Sequence, residues 1–208
     1  MAADTMIKVD VKAFKDQTIS IHRAPRLNKE RDDDYIASKW LSKTNDKLYF
    51  NRISRDLKRA DICYADPSTG KVTVVIEERL NTYIDMNDLG FVNNGKELIH
   101  WSERDGWGHF YLNDGNGKLK NQITSGPFHC ENIEGIDEVG HVLYFTANGL
   151  EPNEDPYYYH LYRINFDGTG LKLMDKGNFD HSVNVSDSYK FFVDNFSRVN
   201  AAPESYLM

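Results

Sequence analysis

Apolar and polar residues alternate with a period of two along most of this chain, the spacing that sends successive side chains to opposite faces of a strand. Ile7, Val9 and Val11 alternate with polar neighbours over Met6 to Phe14, and Ile19 and Ile21 do so over Gln17 to His22. This predicts two strands joined by a Lys15-Asp16 turn. Three longer segments then repeat one layout: an apolar strand, a polar stretch, an aromatic-rich strand, a glycine-containing turn and a third strand. They run Lys47 to Glu78, Glu97 to Ser125 and Val142 to Lys176, and a fourth copy begins at Lys190. The turns are Pro67-Ser-Thr-Gly70, Asn113-Asp-Gly-Asn-Gly117 and Phe166-Asp-Gly-Thr-Gly170. Such Asp-Gly and Asn-Gly pairs supply the positive φ that tight hairpins demand. A short candidate inner strand precedes each lead strand: Tyr35 to Trp40, Met86 to Val92, Asn132 to Asp137 and His181 to Val185. No long segment has the helical period, so helix content is expected to be low.

The lead strands are anchored at Leu48, Leu98, Leu143 and Phe191, with spacings of 50, 45 and 48 residues. Several strands repeating at that period predict an all-β fold, a partial β-propeller of about four blades of four-stranded antiparallel sheet. The expected division is a blade end at 6–30, blades at about 33–80, 81–125 and 130–176, and an incomplete blade at 181–208. The opening strands read as the outer pair of a blade and the closing ones as an inner pair with part of a third. Either the two ends meet to complete a fourth blade, or the chain is a slice of a larger ring. The slice is favoured, and its open edges are expected to pair with a second copy.

Composition narrows the partners. The 208 residues are 40% hydrophobic and 27% charged, ordinary for a globular chain. A net charge of −7 provides no basic footprint for nucleic acid or an anionic membrane surface. The longest strongly apolar run, Val72 to Ile76, is far shorter than the roughly 20 residues of a membrane helix, so no membrane span is expected. No charged-then-apolar signal layout opens the chain. Cys63 and Cys130 sit in different repeats. Two separate buried thiols are the favoured reading over one disulfide, and neither decides the compartment.

Several motifs carry residues capable of chemistry. Gly90-Phe-Val-Asn-Asn-Gly95-Lys96 has the outline of a phosphate loop, but Glu97 stands where Ser or Thr should hold Mg²⁺ and a strand follows where a helix should start. Asn94-Gly95 reads instead as a hairpin turn. Asp114 to Gln122 imitates the start of a calcium loop without its twelfth-position acid. His129-Cys130-Glu131 carries metal-capable atoms, yet neighbours on a strand point to opposite faces. Asp32-Asp33-Asp34 reads as a solvated loop, and Glu77-Glu78 as a strand terminus followed by Arg79. Ser102, Asp105 and His109 contain a triad by residue type, but no nucleophile elbow accompanies them. Hydrogen bonds that pin the Asp105-Gly106 turn are the expected role. No catalytic, cofactor-binding or metal-ligating residue is assigned, and no cofactor is expected.

The most distinctive text, Trp101-Ser-Glu-Arg-Asp-Gly-Trp-Gly-His-Phe-Tyr-Leu112, resembles a segment in the propeller of bacterial dipeptidyl peptidase IV enzymes, of the prolyl oligopeptidase (S9) serine peptidase family. Ile123-Thr-Ser-Gly126, Gly135-Ile-Asp-Glu138, Val142-Leu-Tyr-Phe-Thr-Ala-Asn148, His160-Leu-Tyr-Arg-Ile164 and Asp194-Asn-Phe-Ser197 keep the family's order. Phe128-His129-Cys130 departs from it, standing where an aromatic-x-valine pattern is usual. The resemblance covers the chain from about Asp33 onward. It implies the C-terminal half of an eight-bladed propeller that caps an α/β-hydrolase domain and gates the passage of peptide substrates to it. It also implies a periplasmic, cell-envelope or secreted setting. The catalytic Ser, Asp and His would lie on the hydrolase domain, so none is carried onto this chain. Two rivals stay open on sequence: a free-standing propeller that binds a partner, and a propeller glycosidase using carboxylates from different blades.

Overall fold

A computed structural model describes residues 6–21, 40–41, 47–87 and 89–208. Sixteen strands and one short 3₁₀ turn make up the regular structure among them, with no α-helix. They divide into two compact units, the first formed chiefly by Met1–Asp85 and the second chiefly by Met86–Asn93, Glu97–Asp114 and Leu119–Met208.

In the first unit, β3 (Lys47–Ser54), β4 (Arg59–Ala65) and β5 (Val72–Arg79) form an antiparallel meander. β1 (Gln17–Ile21) and β2 (Trp40–Leu41) lie along the same free edge of β3. β1 pairs with Phe50 to Ser54, and β2 with Lys47 and Leu48. Here the structure corrects the expectation of an N-terminal hairpin. Met6 to Phe14 forms no strand, although it alternates in the right way. Its Val9 and Val11 instead pack as a side wall on the Phe50, Cys63 and Ala65 cluster. Gln17 ties the segment down, with Oε1 accepting from the Ala13 and Phe14 N–H groups and Nε2 donating to the Val11 carbonyl. β1 therefore completes this sheet and is not part of another. Residues 35–39 of the expected first inner strand, and Asp32-Asp33-Asp34, lie outside the described residues.

The second unit stacks three antiparallel sheets. The first holds β6 (Gly90–Val92), β7 (Glu97–Ser102), β8 (His109–Asp114) and β9 (Leu119–Gln122). The next holds β10 (His129–Asp137), β11 (Val142–Asn148), β12 (Tyr159–Asn165) and β13 (Lys172–Leu173). The last holds β14 (Asp180–Val185), β15 (Phe192–Arg198) and β16 (Ala201–Leu207). Asn93–Gly95 makes the turn between β6 and β7, with positive φ at all three residues. That is the hairpin reading of the phosphate-loop lookalike, since Val92 pairs directly with Glu97.

The middle sheet packs against a neighbouring sheet on each face, and its strand β11 is buried on both. Leu143, Phe145 and Ala147 of β11 face a core shared with Ile99, Trp101, Phe110 and Leu112 of the preceding sheet. Val142 and Tyr144 point the other way, against Phe192 and Val183 of the following sheet. Phe110 and Phe145 meet edge-to-face at 5.7 Å, and Tyr144 stacks on Tyr189 at 5.5 Å. The Tyr189 hydroxyl also donates to the Ile136 carbonyl at 2.7 Å. Face-to-face stacking of twisted antiparallel sheets is the packing from which propeller blades are built.

Candidate functional site

The most developed polar constellation in the second unit occurs in two versions, built on equivalent positions of consecutive repeats. In the first, His109 opens β8, Thr124 follows β9 and Cys130 lies in β10. In the second, His160 lies in β12, Asp175 follows β13 and His181 lies in β14. Each residue of the second set stands 51 positions after its counterpart. Both sets use the start of a third strand, the exit of a fourth and the first strand of the next sheet, so each ties two neighbouring sheets together.

The first version is electrically neutral. The Thr124 hydroxyl lies 3.1 Å from His109 Nδ1 and accepts from the Phe110 N–H at 3.0 Å and the Cys130 thiol at 3.3 Å. His109 Nε2 lies 3.0 Å from the Gly126 carbonyl. With the His109 proton on Nε2, the Thr124 O–H donates to Nδ1 and every donor meets an acceptor. Burial holds His109 below the ordinary imidazole range, the Gly126 carbonyl and Asp105 opposing it, and pushes the Cys130 thiol up to about 12.

The second version is ionic. His160 Nδ1 lies 2.8 Å from Asp175 Oδ1, and the other Asp175 oxygen accepts the Leu161 N–H at 2.6 Å. His160 Nε2 reaches Glu154 Oε2 at 2.9 Å. His181 Nδ1 lies 2.9 and 3.1 Å from the two oxygens of Asp194 on β15 and 3.8 Å from Asp175 Oδ2. Its Nε2 faces the Gly177 carbonyl at 3.3 Å. The imidazole centroids are 4.8 Å apart. His160, Asp175, His181 and Asp194 are each no more than 3% exposed. Burial alone would lower the His160 pKa, but the hydrogen bonds and charges of Asp175 and Glu154 outweigh it and hold it above the ordinary value.

Among the described residues singled out by motif, Ser102, Asp105 and His109 each bond to other partners. Ser102 Oγ accepts from both the backbone N–H and Nε of Arg104. Asp105 accepts from the Trp107 N–H and from Gln122 Nε2, which pins the turn as expected. His109 has both nitrogens engaged elsewhere. His129 Nε2 pairs with Glu131 at 3.2 Å on one face of β10 while Cys130 is buried on the other. Glu77 is exposed and pairs with Arg79, whereas Glu78 is buried. Cys63 and Cys130 are separate free thiols. Sequence reading gave no role to Glu154, His160, Asp175, His181 or Asp194, although His160 and Asp194 open two of the segments that keep the family's order; the signal that could have found the cluster is the 51-residue correspondence of His160, Asp175 and His181 with the earlier repeat.

Comparison with known proteins decides the family. The model of the dipeptidyl peptidase IV (DPP IV) N-terminal region matches residues 2–203. The chain belongs to that family. Dipeptidyl peptidase 4 of Arthroderma otae is 25% identical over 144 residues, covering 65% of this chain and 18% of the relative. Dipeptidyl peptidase 4 of Trichophyton rubrum is 25% identical over 134 residues, covering 62% and 17%. The chain thus spans about a fifth of the curated relatives' length. The crystal structure of Porphyromonas gingivalis dipeptidyl peptidase 4 aligns with 78% of this chain and 23% of its own, at a TM-score of 0.69 and 20% identity. A second bacterial structure, of a dipeptidyl aminopeptidase IV from Bacteroides ovatus, aligns with 93% of this chain and 27% of its own, at a TM-score of 0.72 and 19% identity. These structural likenesses show a shared fold, the antiparallel sheets of a partial β-propeller. No helix among the described residues is long and apolar enough to cross a membrane.

Proposed function

We propose that this DPP IV N-terminal region is a non-catalytic propeller segment of a serine-type dipeptidyl peptidase, gating and scaffolding the access of peptides to an α/β-hydrolase domain. The reading is carried by one observation, the family match over residues 2–203. The stacked sheets supply a physical basis for the scaffold role. A sheet whose strand β11 is buried on both faces resists deformation, because close-packed interiors have low compressibility. Its hairpin loops can then be held at fixed positions over a neighbouring domain. The proposed setting is the periplasm, the cell envelope or the exterior. The parent is proposed to release dipeptides, preferably after Pro or Ala, through an acyl-enzyme.

The test uses Ala-Pro-p-nitroanilide. The pure 208-residue chain is expected to release no nitroaniline above buffer, whereas the full product of its coding region is expected to release it. Turnover by the chain alone would overturn the non-catalytic assignment. Its absence in the full product, under conditions where a reference dipeptidyl peptidase is active, would overturn the peptidase assignment.

A further inference from the structure

The ionic constellation in the second unit has a donor deficit that its neutral counterpart does not. A neutral imidazole carries one N–H and one lone pair. His160 has carboxylates on both sides, Asp175 at Nδ1 and Glu154 at Nε2. His181 has the Asp194 carboxylate at Nδ1 and the Gly177 carbonyl at Nε2. All of these partners are acceptors. Whichever tautomer each ring adopts, one nitrogen lone pair of each is left against an oxygen lone pair in a buried environment, where unpaired polar contacts are costly. In the neighbouring repeat the same position holds Thr124, whose hydroxyl both donates and accepts, and no deficit arises.

One divalent cation would take up a lone pair from each ring and offset the carboxylate charge. The geometry favours it in two ways. Nitrogen and oxygen donors of His160, Asp175 and His181 converge within 4.8 Å of one another, and Asp194 closes on the same His181 nitrogen. The far nitrogens of the two rings are held by a carboxylate and a backbone carbonyl, the outer contacts that orient metal-bound imidazoles. We propose that His160 Nδ1, His181 Nδ1, Asp175 and Asp194 form a structural site for a divalent cation of the zinc class, clamping the β10–β13 sheet to the β14–β16 sheet. Two imidazoles and two carboxylates suit that class. The inference is independent of the peptidase reading, because it concerns only these two sheets.

The chain is refolded with Zn²⁺ or with EDTA and desalted, and bound metal is measured by elemental analysis and stability by thermal melting. The expected result is about one Zn²⁺ per chain and a higher Tm for the zinc-refolded sample. Co²⁺ in place of Zn²⁺ should give visible d–d absorption. His181→Gln should lose the bound metal, and Glu154→Ala, which removes the acceptor at the far nitrogen of His160, should weaken binding about tenfold. His129→Ala, at the His129–Glu131 pair outside the ligand set, should bind as the parent does. No metal and an unchanged Tm in the parent chain would overturn the proposal, as would full occupancy in His181→Gln. Should His181→Gln fail to fold, the parent comparison and Glu154→Ala decide.

Discussion

Individual side chains in this protein are tuned by which neighbours they keep. His109 is held neutral by burial, so folding disfavours its protonated form. Its folded pKa lies below the unfolded value of about 6.5, so its contribution is complete above that pH. It is lost as pH falls from there through the folded pKa. His109→Gln should therefore flatten the loss of Tm between about pH 7.5 and about pH 5.5; an unchanged pH slope would refute the role. Glu134 behaves oppositely, since burial pushes its carboxyl up despite the Thr146 hydroxyl. Its ionised form is disfavoured in the folded state, so Glu134→Gln should raise Tm at about pH 7 and give no gain once the acid is protonated in both states. The two thiols report burial most directly, Cys63 pushed up to about 11 and Cys130 to about 12. A thiol-reactive chromophore at about pH 8 should label neither in the native chain and both in guanidinium, because the thiolate is the nucleophile.

Single strands show where local pattern succeeds and where it is overruled. The repeat layout and the turns at Asp167-Gly168 and Asn94-Gly95 were legible, because positive-φ residues between alternating strands specify hairpins. The fate of Met6 to Phe14 was not. Alternation shows that one face can be buried but not which neighbour buries it, and the β3 edge was taken by Gln17–Ile21. Strand β11 shows the reverse case. Alternation predicts one wet face, yet six of its seven residues are buried, because a further sheet covers each side. Phe145 is fully buried and touches both Phe110 and Tyr162. Phe145→Ala should cost about 3–5 kcal/mol in chemical denaturation, and a cost of only about 1 kcal/mol would mean that the stacking of sheets contributes little.

At the scale of the whole molecule, the exposed final strand is the feature with a consequence. β16 pairs with β15 alone among the described residues, and nearly all of its length is exposed. An unpaired edge of seven residues recruits another strand unless something blunts it, and Pro203 removes only one donor from the row. The isolated chain is expected to self-associate through this edge, seen as a rising mass with concentration in light scattering. A constant monomer mass across the micromolar range would discard the expectation.

Sequence by itself determined the strand period, the hairpin turns, the repeat of 45 to 50 residues, and through its motifs the family to which the chain belongs. These are properties of neighbours in the chain, and short-range sterics and alternation express them directly. Tertiary structure alone decided which strand fills the free edge of β3 and which faces are dry. It also brought Glu154, His160, Asp175, His181 and Asp194 together from separate strands and loops. Proximity across two sheets depends on register and stacking, and no local pattern of residues encodes it.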